Sequence, residues 1–348
     1  MKVCSIVGAR PNFIKLAPLS KELRKNSVNE IIIHTGQHYD KLMSDVFFES
    51  MQIPNPNYNL GVQEDTHGAQ IGRMMIGIEP ILEKERPDAV IVFGDTNSTL
   101  AGAIVASKMN IPVAHIEAGC RSYDMTMPEE TNRIMVDHIA DTLYASTNTC
   151  KNILVNENVY GLVEYFGDVS VDIIDGMLKQ SSFTPITAEY IIATIHRASN
   201  TNIQNLSEIL SALNDCGYNV IFPVHPRTEK ILRLYDLKKK YPNILFEDPM
   251  NYQMMIHWMK HAKMIVTDSG GIVKEAYLLK VPCITLRNTT EWSETLDHGW
   301  NRLTPVIASK FIYDAITNLK RPNAYVNIFG NVGVTRNIVE SLIALYGA

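Results

Sequence analysis

The chain has little cysteine, and none of it is grouped. Five residues, Cys4, Cys120, Cys150, Cys216 and Cys283, are scattered through 348, odd in number and never in a CxxC pair. That excludes a disulfide framework and a thiolate metal site and leaves reduced thiols of the cytosolic kind. HExxH is missing too, so no metal site is expected. No apolar run approaches the roughly 20 residues that a membrane span needs, and the opening MKVCSIV leads straight into a loop, with no secretory pattern. A soluble, cytoplasmic protein is the expectation. Charge of one sign is not in excess: 32 Lys and Arg stand against 37 Asp and Glu, too even a balance to draw the whole molecule onto nucleic acid. An anionic ligand must then be held by a local arrangement.

What the chain does have is apolar residues, 46% of the total, enough to build two domains. Short Val- and Ile-rich runs alternate with longer helical patterns, the habit of parallel sheets made from strand-helix-strand units. A first set comprises KVCSIV (2–7), EIIIHT (30–35), AVIVF (89–93), PVAHIE (112–117) and TLYAS (142–146). A second comprises YIIATIH (190–196), NVIFPVH (219–225), NILFED (243–248), KMIVTDS (263–269) and PCITL (282–286). Between them GDVSVDIIDGMLKQSSFTPITAEY loses its periodicity and reads as a connection. The expected fold class is α/β, with two doubly wound Rossmann-like domains, residues 1–168 and 169–348, facing a cleft. The last helical pattern, 334–347, closes on one domain or the other.

Ligands in such sheets sit at the carboxyl ends of strands, and the chemistry-bearing residues gather there. In TDSGGIVKEA an apolar strand gives way to Ser269, Gly270 and Gly271 as a helical pattern begins. Glycine amides and a helix N-terminus suit a diphosphate; a serine-capped turn with no ligand is the other reading. Glu275, on the first turns of that helix, is placed to bind ribose hydroxyls or is a solvated surface acid. GARPNFIK puts Gly8 and Arg10 after the first strand and Lys15 in the next helix, which Pro11 can open. Two cations there suit a diphosphate, or Arg10 braces the turn; the spacing is neither a P-loop nor GxGxxG. Asp95 in GDTNST, Glu117 in HIEAG and Glu130 in MPEETNR, with Arg133 one turn later, invite acid–base work. An exposed Glu130–Arg133 ion pair and a helix cap at Asp95 are the plainer alternatives. His196 and His225 end two strands of the second set, followed by Arg197 and Arg227. They could neutralise and protonate a departing phosphate, or be structural.

Taken in order, GARPNFIKLAPL, HTGQHYD, FGDTNSTLAGA, HIEAGCRS, MPEETNR, GDVSVD, HRASN, HPRT, TDSGGIVKEA and LRNTTEWSE span nearly the whole chain. With them the sequence resembles the non-hydrolysing UDP-N-acetylglucosamine 2-epimerase family. The resemblance implies the two-domain architecture of B-type glycosyltransferases, a UDP-sugar as ligand, no nicotinamide or other cofactor, no nucleic-acid or membrane partner, and a homodimer. It implies anti elimination of UDP across carbons 1 and 2 to a 2-acetamidoglucal, then re-addition with the opposite configuration at carbon 2. Asp95, Glu117 and Glu130 match the family's catalytic acids and His196 its catalytic histidine. Arg10, Lys15, His225, Ser269, Gly270, Gly271 and Glu275 match positions that bind UDP or the sugar, with Arg133 placed beside them.

Bacterial members also bind an activating second UDP-N-acetylglucosamine, for which Gln37, His38, Arg73 and Arg197 are the candidates. Tyr39 departs from that loop pattern, Ser199 replaces an acid of HRxEN, and Val273 and Lys274 stand where many relatives have GIQEEA. Lys274 to Ala276 and Thr290 to Trp292 look like branches acting on UDP-2,3-diacetamido-glucuronate. The rival readings are a hydrolysing epimerase, a glycosyltransferase lacking a recognisable acceptor groove, and a silent nucleotide-sugar sensor, against which the three acids stand.

Overall fold

Runs of Val, Ile and Ala with no polar alternate need cover on both faces, and parallel sheets flanked by helices supply it. A computed structural model, which describes residues 1–37, 51–179 and 189–347, divides into two compact units: Met1–Asp175 with Asn327–Ala348, and Gly176–Val326. In the first, β1 (Lys2–Val7), β2 (Asn29–His34), β3 (Tyr58–Asn59), β4 (Ala89–Phe93), β5 (Val113–Ala118), β6 (Thr142–Ala145) and β7 (Leu162–Tyr165) form one sheet. Its order is β3-β2-β1-β4-β5-β6-β7 and every pairing is parallel. The connecting helices include α1 (Arg10–Lys25), α2 (His67–Glu85), α3 (Asn97–Lys108), α4 (Pro128–Ile139) and α5 (Asn148–Asn156), and α6 (Ser170–Lys179) runs to the second unit.

That unit repeats the plan with β8 (Tyr190–Thr194), β9 (Asn219–Pro223), β10 (Ile244–Glu247), β11 (Met264–Thr267), β12 (Cys283–Thr285) and β13 (Asn301–Leu303), ordered β10-β9-β8-β11-β12-β13. Its helices are α7 (Ile203–Asp215), α8 (Pro226–Leu234), α9 (Leu237–Lys240), α10 (Tyr252–His261), α11 (Gly270–Leu278), α12 (Ser293–Asp297) and α13 (Ser309–Asn318). Ile191, Leu206, Ile209, Phe222, Val266, Ile284 and Ile312 are among the buried residues of its core. In both sheets the order reverses beside the first strand, between β1 and β4 and between β8 and β11. These are the switch points at which doubly wound sheets open a crevice.

The last helix, α14 (Val334–Tyr346), belongs to the first unit. Asp172 meets its start, accepting from the Gly333 and Thr335 N–H groups at 2.6 and 2.7 Å, where a carboxylate also complements the helix dipole. At its far end Tyr346 and Thr142 share a hydrogen bond of 2.5 Å. The first unit therefore runs past residue 168, where the sequence places the domain edge, through α6 to Asp175, and then recovers residues 327–348. The ten strands read from sequence are present, with ends displaced by at most two residues. The three others, β3, β7 and β13, are all edge strands. Their sequences, YN, LVEY and NRL, are too short to carry a period. No helix among the described residues is long and apolar enough to cross a membrane.

Candidate active site

At the β1/β4 switch the chain turns through Gly94, whose φ is +61° and where a Cβ would lie 2.6 Å from Lys15 Nζ. Only glycine suits both the left-handed backbone and the lysine. Lys15, 8% exposed, reaches Glu117 Oε1 at 2.5 Å. Glu117 has a φ of +71° and stands where the β5–β6 register slips between Ile116 and Ala118. A bulge re-aims a side chain at the end of a strand, and a non-glycine residue held left-handed is strain of the kind that collects at functional sites.

Asp95 follows Gly94. Its Oδ2 meets Arg133 Nη2 at 2.5 Å, and its carbonyl accepts from Asn132 Nδ2 at 2.8 Å. Thr96 rather than Asp95 caps α3. Arg133 turns its other arm to Glu130 Oε2, also at 2.5 Å, so one guanidinium joins two carboxylates. Glu130 is fully buried and takes the N–H groups of Ser122 and Tyr123 at 3.0 and 2.8 Å and the Ser122 hydroxyl at 2.8 Å. Burial pushes its pKa up, but these bonds and Arg133 outweigh burial and hold it below the ordinary carboxylate range. The Glu130–Arg133 pair is thus interior, and it knits the 122–123 turn to α4.

The second unit has its own organiser at the β8/β11 switch. Asp268, wholly buried, accepts from the N–H groups of His196 and Arg197 at 3.1 and 2.9 Å, from Asn200 Nδ2 at 3.1 Å and from His196 Nδ1 at 3.2 Å. Burial raises its pKa, but the His196 ring and the backbone N–H groups outweigh that and lower it. With Nδ1 as the donor, Nε2 is the nitrogen His196 has for proton exchange. The His225 ring centroid lies 5.5 Å from that of His196, and its Nδ1 accepts from Arg227 N at 3.1 Å, which caps α8.

Ser269 caps α11 through Ile272 N. The two glycines after it differ. A Cβ at Gly270 would meet Glu291 Oε1 at 2.8 Å, whereas at Gly271 the nearest atom, Ser269 Oγ, is 3.9 Å away. Gly270 therefore serves packing, and the helix N-terminus opens at Gly271, a favourable place for an anion. Glu275 is buried and accepts from the Tyr252 hydroxyl at 2.8 Å. Glu291 pairs with Arg287 at 2.7 Å, Trp292 Nε1 donates to the Gly270 carbonyl at 3.0 Å, and Lys274 Nζ lies 4.9 Å from the Trp292 ring centre.

The first unit thus brings Lys15, Asp95, Glu117, Glu130 and Arg133 to one switch point. The second gathers His196, His225 and Ser269 to Gly271 around Asp268 and the start of α11. Arg10 is exposed at the first position of α1. Of the activator candidates, Gln37 accepts from Ser98 N and Oγ at 3.0 and 2.7 Å, and Arg73 pairs with Glu64 at 3.4 Å. Glu64 lines one pocket with Gln37. Arg197 belongs to the second unit, and His38 lies outside the described residues. Sequence reasoning missed Asp268, whose one local signal is an acid between a strand and a serine cap. It also missed the buried set His115, Asp137 and Arg121, which joins the end of β5 and the turn after it to α4 and has no recognisable spacing.

Asp268, Glu130 and Asp137 share a sign: each is held below its ordinary value, for Asp137 because His115 and Arg121 outweigh burial. Such a group stabilises the fold while the unfolded chain would also be ionised, and loses that contribution as pH falls through its lowered value. Unfolding by denaturant should therefore need steadily less denaturant as pH drops below the ordinary values of 4.5 and 3.8. A midpoint flat through that window would contradict the network.

A family model for UDP-N-acetylglucosamine 2-epimerase matches residues 21–343. A Methanococcus maripaludis protein named a UDP-N-acetylglucosamine 2-epimerase homolog is 47% identical over 355 residues, covering 98% of this chain and 99% of that protein. The UDP-2,3-diacetamido-2,3-dideoxy-D-glucuronate 2-epimerase of Pseudomonas aeruginosa is 42% identical over 330 residues, 92% of each. The crystal structure of Methanocaldococcus jannaschii UDP-GlcNAc 2-epimerase in complex with UDP-GlcNAc and UDP has a TM-score of 0.91 at 40% identity, over 99% of this chain and 100% of that one. With the model matching most of its length and these relatives nearly all of it, the chain belongs to the UDP-N-acetylglucosamine 2-epimerase family.

Proposed function

We propose that the protein reversibly converts UDP-N-acetylglucosamine to UDP-N-acetylmannosamine by eliminating UDP and adding it back, without hydrolysis. The observation that carries this reading is the pair of acids at the first switch point, Glu117 on its strained bulge against Lys15 and Asp95 against Arg133. Inversion at carbon 2 requires a proton to leave one face and return to the other, so two proton-transfer groups are needed. Asp95 and Glu117 fill those roles. As the carbon 2 proton leaves, its electron pair enters the bond between carbons 1 and 2, the bond from carbon 1 to the diphosphate oxygen breaks, and UDP departs from a 2-acetamidoglucal. In the return step that oxygen attacks carbon 1 and the proton is delivered to the other face of carbon 2.

Negative charge grows on the departing diphosphate, so cations and helix amides aimed at it lower the barrier. Arg10, His196 and the Ser269–Gly271 turn take this part, joined by the Nε2–H of His225, whose Nδ1 accepts from Arg227 N, and Glu275 binds the ribose hydroxyls. Glu130, saturated by Ser122, Tyr123 and Arg133, acts by holding Arg133. The UDP-GlcNAc and UDP bound in the Methanocaldococcus relative support the choice of ligand. The Pseudomonas relative favours a second reading, the same carbon 2 chemistry on UDP-2,3-diacetamido-glucuronate.

Chromatography after incubation with each nucleotide sugar separates the readings. UDP-N-acetylmannosamine without free UDP is expected from UDP-N-acetylglucosamine. Equal amounts of UDP and free N-acetylmannosamine would make the enzyme hydrolytic, and turnover of the diacetamido sugar alone would replace the substrate. Glu275→Ala should weaken UDP binding about tenfold or more, as loss of charge-assisted hydrogen bonds implies. Unchanged affinity by calorimetry would remove Glu275 from the ribose site.

A further inference from the structure

Two acid-bearing strand ends of the first unit are gripped from behind by one buried set of charges. His115, on β5 and 0% exposed, points Nε2 at the Gly94 carbonyl, 2.7 Å away, and Nδ1 at Asp137 Oδ1, also 2.7 Å away. The Gly94 carbonyl belongs to the peptide that leads into Asp95. Asp137, on α4 and 0% exposed, accepts with Oδ2 from Gly119 N at 3.1 Å, two residues past Glu117, and from Arg121 Nη1 at 2.7 Å. Arg121 gives its remaining arms at 2.9 and 2.7 Å to Glu157, the partly exposed residue that follows α5, and Glu157 is met at 3.3 Å by the half-exposed His138.

A carbonyl oxygen and an ionised carboxylate can only accept. A neutral imidazole has one hydrogen, so one of the two short contacts would set lone pair against lone pair. A buried charge is costly unless it is paired, and the fully buried Asp137 is met by the Arg121 guanidinium and the His115 ring together.

We infer that His115 is a buried imidazolium and a positioning residue, whose Nε2–H fixes the Gly94–Asp95 peptide while its Nδ1–H pairs with Asp137, which Arg121 and Gly119 N also hold. It touches no substrate. The positioning half rests on the epimerase reading, whereas the proton count does not.

Selective 15N-histidine labelling reads the proton count directly, with Nδ1 and Nε2 of His115 assigned by their loss in His115→Asn. Both nitrogens should show the imidazolium pattern at neutral pH. A singly protonated ring at neutral pH would overturn the inference. Two variants test positioning. An Asn amide nitrogen falls near Nδ1 and a Gln amide nitrogen near Nε2, so His115→Asn keeps the Asp137 contact and His115→Gln keeps the Gly94 contact. Both lose the buried cation and should melt at lower temperature, with UDP affinity within about twofold of the parent. Turnover should fall about a hundredfold in His115→Asn, since small misplacements of a reacting group have effects of that size. It should stay within about threefold in His115→Gln. Equal losses of turnover in the two would make His115 merely structural. If the parent turns over no nucleotide sugar, the epimerase reading fails while the nitrogen spectrum still decides the proton count.

Discussion

Glu117→Gln is expected to lower turnover by about a hundredfold or more while UDP affinity holds, the signature of a lost proton-transfer group. The replacement is nearly isosteric, and its amide oxygen can still accept from Lys15, which now meets Oε1 at 2.5 Å. The left-handed backbone at Glu117, set by the register slip against β6, has no reason to relax. What disappears is the capacity to hold a proton. Asp95→Asn should behave alike, because Arg133 donates to an amide oxygen nearly as it does to Oδ2. Steady-state turnover measured beside UDP calorimetry separates chemistry from binding. Near-normal turnover in either variant would take that residue out of the proton transfers.

Arg133→Met should have the largest effect on stability. The guanidinium is 5% exposed in its side chain and bridges Asp95 and Glu130 at 2.5 Å each. Removing one partner of a buried ion pair typically costs about 3–5 kcal/mol, because the other charge stays behind without compensation. Glu130 retains its Ser122 and Tyr123 bonds, which limits the loss to the lower part of that range. Arg133→Lys should recover only part of it, since a point ammonium cannot serve two carboxylates in fork geometry. Denaturant unfolding of the three proteins measures this. A loss below about 1 kcal/mol in Arg133→Met, the size of an exposed pair, would mean that the bridge does not hold the site.

Features that were legible in the sequence are those with local causes. AVIVF and YIIAT are strands because every residue in them is buried, and an apolar run framed by polar turns says so without knowledge of the neighbours. The Ser269–Gly271 turn is legible for the same reason, since cap, glycines and helix are consecutive. Glu117 is named in the sequence by the HIEAG motif, but its bulge is not, because the slip depends on pairing with β6, more than 20 residues on. Glu130 looks like half of a surface ion pair until α4 is seen to turn that face toward Asp95, 35 residues earlier. Asp268 is hidden among strand-end polar residues because its partners, His196, Arg197 and Asn200, arrive from the far side of the sheet switch. His115 reads as one more strand residue until Asp137 and Gly94 close on it.

Proton NMR of the purified protein with UDP-N-acetylglucosamine in deuterated water, without added metal or nicotinamide, tests the central claim most directly. If Asp95 and Glu117 exchange the carbon 2 proton with solvent, deuterium enters carbon 2 as the UDP-N-acetylmannosamine signals grow. Appearance of those signals with the original proton retained at carbon 2 would contradict elimination and re-addition, and with it the roles given to the two acids.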